Sequence, residues 1–371
     1  MKRLLLTIVL FCSIIIAKAA VIIWDGGGGD GLWNTAVNWV GDVVPGAADD
    51  VILDNSALAG TYTVTLPGGA VTVAINSITI TPLVANNITL ILPNTNTANP
   101  GFSVTGTGDA LILNIRAILI NSSAAAAGSG ISITNTFRIN NGGHYVHKTG
   151  GGNAAIISQL SPVAGTELGE FEFDDPTGST IISLSGRTFG TLTLSAVANS
   201  GIASYIGSGA VTCNVNGNLN INTGVSFAIS MSADFVVKQN YNQAGSSTFN
   251  IQSSTNSNNI KVAGNVSTGG TITESNTGLP TFELNGTTNQ QISGMGSLQN
   301  SITFLMNNPA GATLNSPLTL PYNLTLTSGK ITTTSVNLLM MIDNATYTGG
   351  SAISFVNGPM KKQVMITLSF L

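Results

Sequence analysis

An asparagine held between a polar and an apolar residue recurs at near-constant spacing, and this recurrence constrains the fold more than any other feature. It occurs in Gly217-Asn218-Leu219, Gln239-Asn240-Tyr241 and Gly264-Asn265-Val266. Periods of about 20–50 residues mark solenoids and arrays, in which each repeat buries its apolar face only against its neighbours. A period of about 22–25 residues, as here, accommodates three short strands and their turns, the content of one coil of a parallel β-helix. Each coil then pairs its backbone with the coils above and below, about 4.8 Å away. Asparagines at one point of successive coils can form a ladder in which each amide bonds the next. A longer echo lies over this period. Asn218–Gly224 matches Asn323–Gly329, and Phe171 matches Phe282 at a slightly larger offset. Phe171–Gly224 and Phe282–Gly329 therefore read as two copies of one unit.

The local pattern agrees with short strands. Tyr62–Leu66, Ile78–Thr81 and Ile88–Leu90 alternate apolar and polar residues, rich in β-branched types, the signal of half-buried strands. Pro67-Gly68-Gly69, Asn86-Asn87, Pro93-Asn94 and Pro100-Gly101 separate the runs as turns. Leu111–Ile120 reads as a buried strand pair or a short helix, Ser122–Gly130 as a small-residue loop. No amphipathic helix of useful length is expected. Only 8% of residues are charged, against about 25% in average proteins. Like charges stacked in register would repel, so a ladder fold favours Asn and Thr outside and Ile, Val and Leu inside. Between twelve and fourteen coils fit, a rod of roughly 60 Å.

The N-terminus, through Ala19, has the form of a secretory signal. Lys2 and Arg3 precede an apolar run from Leu4 to Ala17, and Ala17-Lys18-Ala19 fits a small-x-small cleavage site. That run, like every later one, is shorter than the ~20 residues of a membrane-spanning helix. Cys12 follows the large Phe11, which argues against lipidation. Cleavage removes three of twelve Lys and Arg, leaving nine against 16 Asp and Glu, a formal net charge of −7. Nucleic acid, which needs clustered cations, is excluded as an expected partner. One cysteine, Cys213, remains, so no intrachain disulfide is possible; it reads as a small buried apolar residue.

Candidate chemistry is sparse. Trp24, Trp33 and Trp39 fall among Gly26–Gly29, Asp25, Asp30, Asp49 and Asp50. The four aspartates could ligate calcium, or the segment could be a cap whose indoles cover the open end of a β stack. The cap reading is favoured, since no EF-hand spacing is present. His144 and His147, three apart, would face opposite sides of a strand, so they read as surface or packing residues rather than metal ligands. Glu170, Glu172 and Asp174 would form an acidic row outside Phe171 and Phe173. The best group for acid–base work on polysaccharides is His144, His147, Lys148, Glu170, Glu172, Asp174 and Arg187, with His147 and Glu172 spaced to stack on adjacent coils. The solvated reading of these groups is preferred, and no catalytic, cofactor-binding or metal-binding residue is assigned.

Several segments, in order, resemble large repetitive bacterial surface proteins exported by type IX secretion: WDGGGGDGLWNTAVNW with VVPGAADDVIL, then RINNGGHYVHKTG, SGRTFGTLTL, VNGNLNINTG, FELNGTTNQQISG, LTLTSGKI and FVNGPMKK, from Trp24 to Lys362. The resemblance implies a β-helical, adhesin-like exported protein and supplies no catalytic residue. His147 and Thr149 match its pattern; His144 and Lys148 depart from it. In such proteins Thr-Gly and further domains follow FVNGPMKK, whereas this sequence continues KKQVMITLSFL, an ending that a frameshift would explain.

The expectation is therefore an all-β, right-handed parallel β-helix (β-solenoid) with an N-terminal Trp-rich cap: signal peptide 1–19, cap and first strands 20–60, solenoid 61–371. Its expected role is an exported structural or adhesin-like segment without catalysis or cofactor, at the cell surface or secreted, with surface glycans or other surface proteins as partners. The alternative is a polysaccharide lyase or hydrolase, or a carbohydrate-binding module.

Overall fold

The computed structural model describes residues 20–125 and 130–364. The signal segment, part of the Ser122–Gly130 loop and the last residues of the tail lie outside the described residues. The chain is a parallel β-solenoid of about 14 turns, with three faces per turn. One face is a continuous thirteen-stranded sheet running from Tyr62–Thr65 to Val356–Asn357 in chain order. The second is built of a five-stranded and an eight-stranded sheet, the third of three-, six- and three-stranded sheets. Every pairing between these strands is parallel, so each strand's backbone is satisfied by the neighbouring turns rather than by an adjacent element of sequence.

Alternation decides what goes inside. Leu219, Tyr241 and Val266 sit in register on successive turns and are buried, while Asn220, Asn242 and Ser267 between them point outward. The same residue types stack down the core: Phe227 lies over Phe249 with ring centroids 4.9 Å apart and planes at 9°. Leu111–Ile120 resolves as two consecutive strands, Asp109–Leu113 and Ala117–Asn121, turned at Arg116, whose φ is 66°. Cys213 is fully buried, as a small apolar residue would be.

The asparagine period marks a real ladder with a different bond from the one expected. Oδ1 of Asn218, Asn240 and Asn265 each accept the backbone N–H one turn on, of Asn240, Asn265 and Gln291, at 3.0, 2.9 and 2.8 Å. These asparagines sit at turns just before a strand, where an unpaired N–H is the more available donor. Amide-to-amide bonding occurs instead on the strand, where Asn242 Nδ2 donates to Asn220 Oδ1 at 2.9 Å. Asn323, the counterpart of Asn218 in the longer echo, joins no asparagine ladder among the described residues and donates to Thr346 Oγ1 at 2.7 Å.

The two-copy reading needs correction. Phe171 and Leu219–Ile221 lie on the continuous face, but Phe282 and Asn323–Ser328 lie on the second. The copies share strand grammar, not position. Turn length varies along the rod: one turn is as short as Ala312 to Ile331, another as long as Leu90 to Leu119. A sequence offset alone therefore does not fix the face.

One turn departs from the pattern. After Gly150–Gly152 the third-face strand is replaced by a short helix, Asn153–Ser158. Gly152 has φ 75°, which a β-strand does not tolerate, and Ala154 and Ala155 favour the helix that follows. Ile156 and Ile157 pack into the core. The Asn153 side chain substitutes for a missing strand: Nδ2 donates to Ile181 O at 2.8 Å, and Oδ1 accepts from Ser183 N at 3.0 Å. Among the described residues, no helix is long and apolar enough to cross a membrane.

Candidate functional site

The N-terminal segment is a cap. Trp24, Trp33 and Trp39 are buried. Trp39 meets Trp24 and Trp33 edge-on at 4.8 and 4.7 Å, and its Nε1–H donates to Trp33 O at 2.7 Å. The four aspartates do not gather as a calcium site requires. Asp25 accepts from Gly27 N and Asp49 from Gly46 N, each closing its own turn. Asp30 accepts from Thr35 Oγ1, Leu32 N and Asn38 Nδ2, and these bonds hold its carboxyl below the usual range. Asp50 reaches the next turn, to Asn76 and Ser77.

Charge gathers instead on the continuous face, at the strands His144–His147 and Glu170–Phe173. These strands pair in register, His144 beside Glu170 and Val146 beside Glu172. Because outward positions repeat every second residue, His144, Glu170 and Glu172 project from the same side of two adjacent turns. His144 Nε2 lies 2.8 Å from Glu172 Oε2 and 4.0 Å from Glu170 Oε2. All three ligand atoms fall within 4.8 Å of one another, the one such group of three His, Cys, Asp or Glu among the described residues. Burial lowers the His144 pKa, but the Glu172 hydrogen bond and both carboxylates outweigh it, for a net rise. Burial likewise raises Glu172, but hydrogen bonds from His144 and Ser195 prevail and hold it ionised, below its ordinary value. Thr193 Oγ1, one turn on, donates to Glu170 Oε1 at 2.6 Å. Lys148 Nζ pairs with the buried Asp174 at 3.0 Å, and Asp174 also accepts from Ala198 N.

Thus three members of the acid–base group come together, and Lys148 and Asp174 form a separate ion pair beside them. Two do not join. Arg187 turns away to Ser183 Oγ at 3.1 Å. His147 points into the core and stacks in register on Phe173, not on Glu172. Glu172 pairs with Val146, one position short of His147, and a one-residue slip moves a side chain to the opposite face. The partner of the carboxylates is therefore His144. The inward aromatics Tyr145 and Phe171, which pair directly, carried the signal that could have aligned it.

His147 is a satisfied core histidine. The Gly151 carbonyl can only accept, so His147 Nε2–H donates to it at 2.9 Å, and Nδ1 accepts from the Tyr145 hydroxyl at 2.9 Å. Tyr145 Oη in turn accepts from Asn121 Nδ2 at 3.3 Å. Burial lowers the His147 pKa to about 4. Four turns on, Gln243 occupies the same place on the sheet and accepts from Tyr241 Oη at 2.8 Å. Sequence reasoning missed this polar core motif, Tyr-x-His and Tyr-x-Gln.

Beyond the cluster the face is neutral. Thr193, Asn220 and Asn242 form hydrogen-bonded rungs, Asn220 Nδ2 donating to Thr193 Oγ1 at 3.0 Å. They line an open groove of about 400 Å³ that runs from Glu170 to Ser267. Such a groove presents amides and hydroxyls rather than the apolar walls typical of small-molecule pockets.

The chain matches no known protein family, no curated protein and no solved structure.

Proposed function

We propose that this chain is an exported structural or adhesin-like β-solenoid segment: a stiff rod that presents a neutral, hydrogen-bonding face and has no catalysis of its own. The carrying observation is the continuous face, whose outward polar side chains are largely engaged in bonds between turns. Side chains so engaged make a rigid platform and leave few free to act as acids or bases. The signal-like N-terminus and the resemblance to type IX-exported surface proteins support export. Fractionation of producing cells with surface labelling tests the reading. The chain is expected in the medium or labelled on intact cells, and confinement to the cytoplasm would overturn it.

The groove between Glu170 and Ser267 favours passive glycan binding along the same face, since planar amides and hydroxyls suit sugar hydroxyls. Glycan arrays probed with the wild-type chain and with Asn242→Ala separate this from a pure spacer: a spacer binds no glycan.

A further inference from the structure

We propose that His144, Glu170 and Glu172 form a binding site for one divalent transition-metal ion, zinc being the best fitted. The donor set is one imidazole nitrogen and two carboxylate oxygens, a combination zinc accepts, whereas magnesium and calcium prefer oxygen alone. The geometry is close to that required. Zinc holds such ligands at about 2.0–2.2 Å, which in a tetrahedral site sets neighbouring ligand atoms roughly 3.3–3.6 Å apart. His144 Nε2 to Glu172 Oε2 at 2.8 Å must open slightly, and to Glu170 Oε2 at 4.0 Å must close slightly. Each is a change of about 0.5 Å, and the ligand atoms all lie within 4.8 Å of one another.

Three further observations favour a metal over a simple ion pair. The ligands stand on two strands held in register within a thirteen-stranded sheet, so their spacing is fixed before an ion arrives. Thr193 already holds Oε1 of Glu170 and leaves Oε2 toward the imidazole, the kind of supporting bond that orients metal ligands. Lys148, the neighbouring cation, is tied to Asp174 and does not occupy the carboxylates. A divalent ion neutralises both, where an imidazolium leaves one negative charge. The site is partly open to solvent, so its remaining coordination positions face outward, where a water or a hydroxyl from a surface ligand can enter.

The test uses the purified chain and zinc or cobalt alone. Calorimetry is expected to show one equivalent of zinc, and cobalt a visible band that zinc displaces. His144→Ala and Glu172→Gln abolish both; Glu167→Gln, a carboxylate elsewhere, changes neither. Thr193→Val weakens binding about 10–100-fold as a positioning residue. All of these side chains point away from the core, and far-UV circular dichroism checks that each variant stays folded. The chain has two histidines, so nitrogen-15 NMR gives an independent readout: zinc shifts His144 Nε2 and leaves His147 unmoved. Absence of saturable binding, or one-equivalent binding that survives His144→Ala, overturns the assignment.

Discussion

Acidification should destabilise this protein in part through His147, whose share can be isolated. Its ring is fully buried, its neighbours are the Phe171 and Phe173 rings, and both nitrogens are satisfied in the neutral form. Protonating Nδ1 would set a second donor against the Tyr145 hydroxyl. That hydroxyl stays protonated, since burial pushes its own pKa upward. The folded pKa of about 4 lies below the ordinary value of 6.5. Folding therefore favours neutral imidazole. The contribution is fully present above pH 6.5 and is lost as pH falls from 6.5 to about 4. A depression of that size corresponds to roughly 3 kcal/mol. The control is His147→Gln, because Gln243 fills the equivalent position with the same tyrosine donor. Urea unfolding of both proteins from about pH 7.5 to about pH 4 isolates the histidine, since every other titrating group is common to the pair. The wild type should lose about 3 kcal/mol relative to the variant across that window. Parallel pH profiles would mean instead that His147 carries the same proton occupancy folded and unfolded.

Other predictions follow from the ladder, the cap and the core. Trp39→Ala removes two edge-on ring contacts and an indole hydrogen bond, at a cost of about 3–5 kcal/mol. Since solenoid turns couple mainly to their neighbours, hydrogen exchange should accelerate at Asp50–Asp54 and Tyr62–Thr65 and stay unchanged at Asn259–Val262. Asn218→Ala leaves the Asn240 N–H without its acceptor and should lower stability by about 1 kcal/mol in urea unfolding; an unchanged midpoint would show that the ladder adds nothing. Burial pushes the Cys213 thiol up to about 12, so a thiol reagent at mildly alkaline pH should leave the native chain unmodified and label it once unfolded.

The strand pattern, the ladder positions and the tryptophan cap could all be read from residues because each is a local consequence of chemistry. Alternation places Leu219 and Tyr241 inside and Asn220 and Asn242 outside wherever the strand lies. What escaped was relative position. Turns as different as Ala312 to Ile331 and Leu90 to Leu119 blur the sum of many turns, so Phe171 and Phe282 could share a pattern and occupy different faces. The same uncertainty, reduced to one residue, paired Glu172 with His147 when the register gives it to His144. The helix at Asn153–Ser158 escaped because so short a segment cannot show a helical period. Asn153 standing in for a strand is a tertiary bond with no local signature.

The continuous face of the solenoid advances by one strand per turn, and distance along that face measures this advance. Ile91 and Asn220 share one register column of the continuous sheet, on its second and seventh strands. Thr89 and Thr313 stand on its second and eleventh strands. With about 4.8 Å per rung, spin labels at 91 and 220 should lie about 24 Å apart, and labels at 89 and 313 about 43 Å apart. Pulsed electron–electron resonance on the two double-labelled chains should give narrow distributions near these values, in the ratio of five rungs to nine. Broad distributions, or a pair 89–313 no farther apart than 91–220, would contradict the rod.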